Sequence, residues 1–199
     1  MQLLALVVVA YAILGYGFRP LGQFVLPEMG ANFRAHAFGI YLHVFAATLA
    51  LLLGPFQFWE RLRRRLPRLH RIAGRIYLGV GVGLGGLAGL YMATFAFGGA
   101  PARLGFATLA LAWLYTGLRA YRAIRGGDVA THRRWMVRNF ALTLAAVTLR
   151  ILLPVSGISG IPFATAYPAI AWLSWLPNLL LAEWLLARQI TPRFFSNSR

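Results

Sequence analysis

Cysteine and lysine are both absent from this 199-residue chain, and its only acids are Glu28, Glu60, Asp128 and Glu183. Without cysteine there is no disulfide, no thiolate metal site and no thiol nucleophile, so any metal or haem ligand must be histidine, methionine or oxygen. That absence says nothing about compartment. There is also no GxSxG, Walker loop or HExxH, and the glycines from Gly83 to Gly89 do not follow a strand. Hydrolase, nucleoside-triphosphatase, zinc-protease and dinucleotide readings therefore have no residues to stand on. Internal repeats, low-complexity segments and a second domain are absent too.

What is present is apolar. Hydrophobic residues make up 59% of the chain and charged ones 12%, with a mean hydropathy of +0.65, far from the balance of a soluble domain. A bilayer span takes ~20 residues, which leaves room for about six. The expected fold is all-α, an integral membrane bundle and a single transmembrane domain. Its spans are expected near residues 3–18, 33–58, 72–97, 104–124, 135–153 and 167–187. The first carries no preceding positive charge, unlike a secretory signal, and reads as an uncleaved helix. Residues 19–32 read as a polar loop punctuated by Pro20, Pro27 and Gly30. Span five is expected to close at Pro154, and span six to kink at Pro177.

All 20 basic residues are arginines, giving a net charge of +16. They gather at span ends, around Arg61–Arg71, Arg119–Arg134 and Arg188, which is the pattern of positive-inside loops and not of a nucleic-acid-binding face. Few fall on the other side: Arg19, Arg34, Arg103 and Arg150. Both termini are thus expected in the cytoplasm of a multi-pass bacterial inner-membrane protein whose basic face meets anionic lipid head groups. Nucleic acid is not an expected partner. Gly81, Gly85 and Gly89, four apart, give span three a bare face for helix packing or, as a sharper alternative, for a flat cofactor.

Ionisable and amide side chains inside a membrane are costly, which makes each a functional candidate. They form two layers. The inner one holds His70, Arg75, His132, Arg134, Arg138, Asn139 and Glu183. An unpaired carboxylate would be protonated or find a partner, so Glu183 is expected to pair with Arg75 or Arg138. His70 and His132 match in depth and could ligate a haem iron or a metal, with arginines suited to propionates, a quinone head group or phosphate. The outer layer holds His36, His43 and Arg150. His43 is the most deeply placed histidine, and His36 reads as an interface residue. Arg150 follows His132 by about five helical turns, so both face the bundle interior. The outer histidines share one helix, so at most one haem fits.

A set of ordered motifs runs from Leu42 to Glu183. It comprises His43, then Leu53-Gly54-Pro55-Phe56-Gln57-Phe58, then His70-Arg71-Ile72-Ala73-Gly74-Arg75-Ile76-Tyr77. His132-Arg133-Arg134-Trp135-Met136-Val137-Arg138-Asn139 follows, with Thr148-Leu149-Arg150 and Pro177-Asn178-Leu179 leading to Glu183. This set resembles a bacterial family of predicted membrane proteins known only as a domain of unknown function. The resemblance implies a six- or seven-helix membrane protein and favours His43, His70, His132, Arg75, Arg138, Arg150, Asn178 and Glu183 as site residues over His36. It supplies no substrate.

Three readings follow, and none assigns a catalytic residue. In the first, His70 and His132, with Arg75 and Arg138, hold a redox cofactor or metal ion, b-type haem foremost, for electron transport, and His43 is a third ligand, a proton relay or a quinone contact. In the second, Glu183, Asn178, His43 and Arg150 line a proton-coupled path, with Asn139 beside it. In the third the chain is a non-catalytic assembly subunit of a larger membrane complex.

Overall fold

The computed structural model describes residues 2–18, 21 and 27–188, with side chains described from residue 5 and, in the second helix, from residue 29. Arg19, placed on the outer side by its loop, lies outside the described residues. Among those described, every regular element is helical.

The helices are α1 (Gln2–Gly17), α2 (Pro27–Ala35), α3 (Ala37–Gln57), α4 (Glu60–Arg65), α5 (Pro67–Ile76), α6 (Gly85–Ala93), α7 (Gly99–Arg125), α8 (Val129–Thr143), α9 (Ala145–Ile158), α10 (Phe163–Leu173) and α11 (Leu176–Ala187). A π-helical stretch, Tyr77–Leu84, joins α5 to α6. Four stretches are long and apolar enough to cross a membrane: Ala37–Gln57, Pro67–Ala93, Val129–Ile158 and Phe163–Ala187. α1 is apolar but short. α7 is long, and Arg103, Arg119, Arg122 and Arg125 lower its hydropathy, yet it packs centrally against α6, α8 and α10.

Helix boundaries depart from expectation where proline and amphipathicity compete. The supposed polar loop contains α2, for which Pro27 supplies the first residue with φ already helical. The third span begins earlier than residue 72, at Pro67, so that His70 and Arg71 lie within the helix. Pro154 does not end the fifth span, because α9 continues to Ile158; neighbouring helices can compensate the lost hydrogen bond in a membrane bundle. That span breaks instead at Leu144, between α8 and α9. In the sixth, the interruption falls at Ser174 and Trp175, and Pro177 sits in the first turn of α11.

Small residues bring the backbones together. A Cβ on Gly81 would lie 2.8 Å from that of Ala50, and one on Gly85 would lie 3.3 Å from that of Ala46. Both glycines therefore lock the π stretch and α6 onto α3, as small-residue interfaces do where apolar lipid offers no hydrophobic drive. α3 packs on the glycine face at Gly81 and Gly85, while Gly85 and Gly89 also line an internal cavity. Around this seam the core gathers Ala50, Tyr77, Val82, Trp113, Met136 and Leu142. Large apolar side chains such as Phe38, Ile158 and Leu180 point outward, as a surface in contact with lipid requires.

Candidate functional site

A cavity of about 930 Å³ opens between α1, α2, α3, α6, α7, α9 and α10. Its wall from Thr143 to Gly157 corresponds to about 20 Å along the α8–α9 axis. Most of the lining is apolar, with a few polar groups converging on it, which is the composition of a small-molecule site. The principal ones are His43, Arg150, Asn32, Tyr16 and Trp113.

Arg150 is the cation of the cavity. Its Nη1 donates to the Ala146 carbonyl at 3.1 Å, and its guanidinium carbon lies 5.3 Å from the centre of the Tyr11 ring, a cation–π contact supplied by α1. Its buried Nε has no hydrogen-bond partner. The described ion pairs are Arg64–Glu60 and Arg138–Glu183, so Arg150 has no carboxylate partner among the described residues. Arg150 thus keeps donor capacity for another acceptor.

His43 is oriented by backbone. Its Nδ1 lies 2.9 Å from the Gly85 carbonyl oxygen; a carbonyl only accepts, so Nδ1 carries the proton and Nε2 of the neutral ring presents a lone pair. Gly89 makes room for the imidazole, because a Cβ there would lie 3.0 Å from two of its atoms. His36, one helical junction away, stacks on Phe95 at 3.6 Å between ring centres and meets the Tyr91 hydroxyl at 3.1 Å. It packs helix ends together. Asn32 of α2 donates to the Phe95 carbonyl beside the mouth.

Below the cavity lies a satisfied polar floor. The Tyr77 hydroxyl donates to Asn139 Oδ1 at 2.7 Å and lies 2.9 Å from Thr143 Oγ1. Trp113 Nε1 donates to the same Thr143 oxygen at 2.9 Å, and Asn139 Nδ2 donates to the Trp113 carbonyl and to Thr116 Oγ1. Asn139 is fully buried, with both ends of its amide used. Its place is structural: it ties α7, α8 and the π stretch into one block.

The remaining candidates lie away from the cavity lining. Arg138 grips Glu183 in a two-pronged pair, Nε to Oε1 at 2.5 Å and Nη2 to Oε2 at 2.7 Å. Of the two partners expected for Glu183, Arg138 takes it, and Arg75 is exposed on α5 with no ion pair among the described residues. Asn178 Nδ2 donates to Thr148 Oγ1 at 3.0 Å and to the Ser174 carbonyl, bridging α11 to α9. The proposed path through His43, Arg150, Asn178 and Glu183 is therefore not one continuous lining: the first two lie in the cavity, and the last two are engaged in helix ties.

The three histidines offered as metal ligands do not converge either. Gly74, one turn from His70, packs on Gln57, and His43 precedes Gln57 by fourteen residues on α3, or about 20 Å. No group of three or more His, Cys, Asp or Glu side chains that could hold a metal occurs among the described residues. His70 and His132 do share the arginine-rich end, within electrostatic range of each other and of Arg63 and Arg71. His132 Nδ1 lies 2.9 Å from the Ala120 carbonyl oxygen, which fixes the tautomer with Nε2 unprotonated, whereas His70 Nδ1 is buried without a partner. At the same end, Asp128 caps α8 by accepting from the Thr131 backbone N–H at 2.9 Å, and that bond holds its carboxyl below the usual range.

Sequence reasoning missed Tyr11, Tyr16, Asn32, Tyr77, Trp113 and Thr143. The available signal was a hydroxyl, amide or indole inside an otherwise apolar run, which in lipid needs a partner.

No curated protein and no solved structure matches this chain. Residues 40–186 match the family described as predicted membrane protein, DUF2306. That stretch carries His43, the polar floor, Arg150 and the Arg138–Glu183 pair, and the chain belongs to this family of membrane proteins of unknown function.

Proposed function

We propose that this chain is a six-span protein of the bacterial inner membrane, both termini cytoplasmic, that binds an amphipathic small molecule in the cavity of its outer half. The ligand's anionic or strongly accepting head group, a carboxylate, phosphate or quinone carbonyl, meets Arg150 and His43. Its apolar body lies along the aromatic and aliphatic walls.

The observation that carries this reading is Arg150, a guanidinium facing a 930 Å³ cavity with no carboxylate bonded to it among the described residues and a buried Nε left over. A half-buried cation with no counter-charge among the described residues is costly, and a ligand acceptor offsets that cost. Binding is favoured over conduction by the floor, where Tyr77, Trp113, Asn139 and Thr143 bond one another. Six spans are supported by α1 and α7 packing among the four longer apolar stretches, and orientation by the arginines at the far end from the cavity.

The test is to purify wild type and Arg150→Met in mild detergent and identify retained amphiphiles by mass spectrometry after solvent extraction. The wild type should carry an acidic or quinone-like amphiphile that the variant lacks. Identical extracts would refute the reading.

A second reading rests on the inner histidines. His132 offers Nε2 and His70 a buried, unpartnered Nδ1, and the surrounding arginines suit the propionates of a b-type haem better than they suit a bare metal cation. Oxidised and dithionite-reduced spectra of protein expressed with ample haem should then show a Soret band and a reduced α band that His132→Ala removes. Featureless spectra would dismiss it.

A further inference from the structure

Outside the bundle, at its arginine-rich end, a second array of groups has no part in the cavity. Trp135 of α8 has two guanidiniums against its ring, those of Arg119 and Arg138, each 4.8 Å from the ring centre. They differ in one respect. Arg138 is neutralised by Glu183, whereas Arg119 donates through Nη1 to the Tyr115 hydroxyl at 2.8 Å and has no carboxylate partner among the described residues. Three ionised groups, two positive and one negative, leave the cluster with a net positive charge centred on Arg119.

The surroundings are amphipathic. Leu111, Tyr115 and Arg119 follow one another at four-residue intervals on α7, so they form a stripe running from apolar to cationic. Leu111 is 54% exposed and Tyr115 is 51% exposed. Across α8, α11 turns Leu180 and Trp184 outward, with Arg188 4.5 Å from the Trp184 ring. The result is a shallow face over α8, between α7 and α11. Leucines lie toward the middle of α7 and α11, aromatic rings with polar tips follow, and a guanidinium held by Trp135 and Tyr115 lies at the arginine-rich end.

We infer that this face is a binding site for one anionic phospholipid, its phosphate on Arg119 and Tyr115 and its acyl chains along Leu111 and Leu180. Stacking on Trp135 and the bond to Tyr115 fix the guanidinium before the lipid arrives, so less side-chain freedom is lost on binding. Charge selects an anionic head group over a zwitterionic one. The site is independent of the cavity, and its failure would leave the cavity reading standing.

Native mass spectrometry of the full chain in mild detergent, titrated with phosphatidylglycerol or phosphatidylcholine, tests it. Wild type should retain one phosphatidylglycerol with a preference over phosphatidylcholine of about fivefold, the scale for one basic residue at an anionic surface. Arg119→Gln should abolish that preference, and Arg122→Gln, an exposed neighbour on the same helix, should keep it. Tyr115→Phe retains the guanidinium and packing, so it decides the matter if Arg119→Gln fails to fold: a reduced preference supports the site and an unchanged one refutes it. Equal binding of both lipids, equal loss in the Arg119 and Arg122 variants, displacement by millimolar inorganic phosphate, or a dimer that Arg119→Gln dissolves would each overturn the inference.

Discussion

The two ends of this bundle treat buried charge and polarity in opposite ways. At the arginine-rich end, Arg138 and Glu183 close on each other through two hydrogen bonds, and just above them Asn139 uses every group of its amide within the polar floor. At the opposite end, Arg150 faces a cavity with one nitrogen unpartnered and no carboxylate bonded to it among the described residues. Matched polar groups in lipid serve folding. A mismatched one is an unbalanced cost, and its persistence in a packed site argues for something bound.

The largest effect should come from breaking the matched set. Asn139→Leu removes three side-chain hydrogen bonds in a fully buried site, those to Tyr77, Thr116 and the Trp113 carbonyl, and should lower stability by about 2–4 kcal/mol, at ~0.5–1.5 kcal/mol for each bond lost. Thermal unfolding in detergent reads this, and a change below about 0.5 kcal/mol, ordinary for a surface substitution, would show that the floor is not structural. Next comes Glu183→Gln, which leaves Arg138 uncompensated. Glu183 is partly exposed, so the loss should be smaller, about 1–2 kcal/mol, the range of hydrogen bonds to charged groups discounted for exposure.

Gly89→Ala sharpens the contrast from the cavity side. The added Cβ would meet the His43 ring at 3.0 Å and tilt the imidazole away from its Gly85 bond. Retained amphiphile should fall severalfold while stability changes by about 1 kcal/mol or less, the lower end for a small overpacking; unchanged retention would remove His43 from the site.

The smallest effect concerns Asp128. Its folded carboxyl titrates below the unfolded value because it accepts the Thr131 N–H. The capping contribution is therefore fully present above the unfolded value of ~3.9 and is lost as pH falls through the folded one. Wild type and Asp128→Ala should differ slightly at neutral pH and converge in acid. A difference that grows on acidification would contradict the cap.

Much of this was legible in the chain. Apolar run lengths gave the helical bundle, the arginine distribution separated its ends, and the scarcity of acids narrowed Glu183 to two partners. Counting turns from His132 assumes one unbroken helix; the break at Leu144 interrupts that count, although Arg150 does line the cavity. What eluded sequence reasoning was relational. Tyr11, Trp113 and Thr143 carry no periodic mark, and their roles arise only once α1, α7 and α8 meet. The break at Leu144 has no proline or glycine to announce it, whereas Pro154 announces a break that packing overrides. His43 falls by sequence in the opposite layer from His70 and His132, and its fourteen-residue separation from Gln57 on α3 agrees with that distance.

The central claim, that Arg150 is held for a ligand and not for the fold, is tested most directly by comparing the thermal stability of ligand-stripped Arg150→Met and Arg138→Met in the same detergent. Removing a cation that has no counter-charge among the described residues should leave stability unchanged or raise it, while removing Arg138 strands Glu183 and should lower it. If Arg150→Met is destabilised as much as Arg138→Met, Arg150 is a structural residue and the account of the cavity fails.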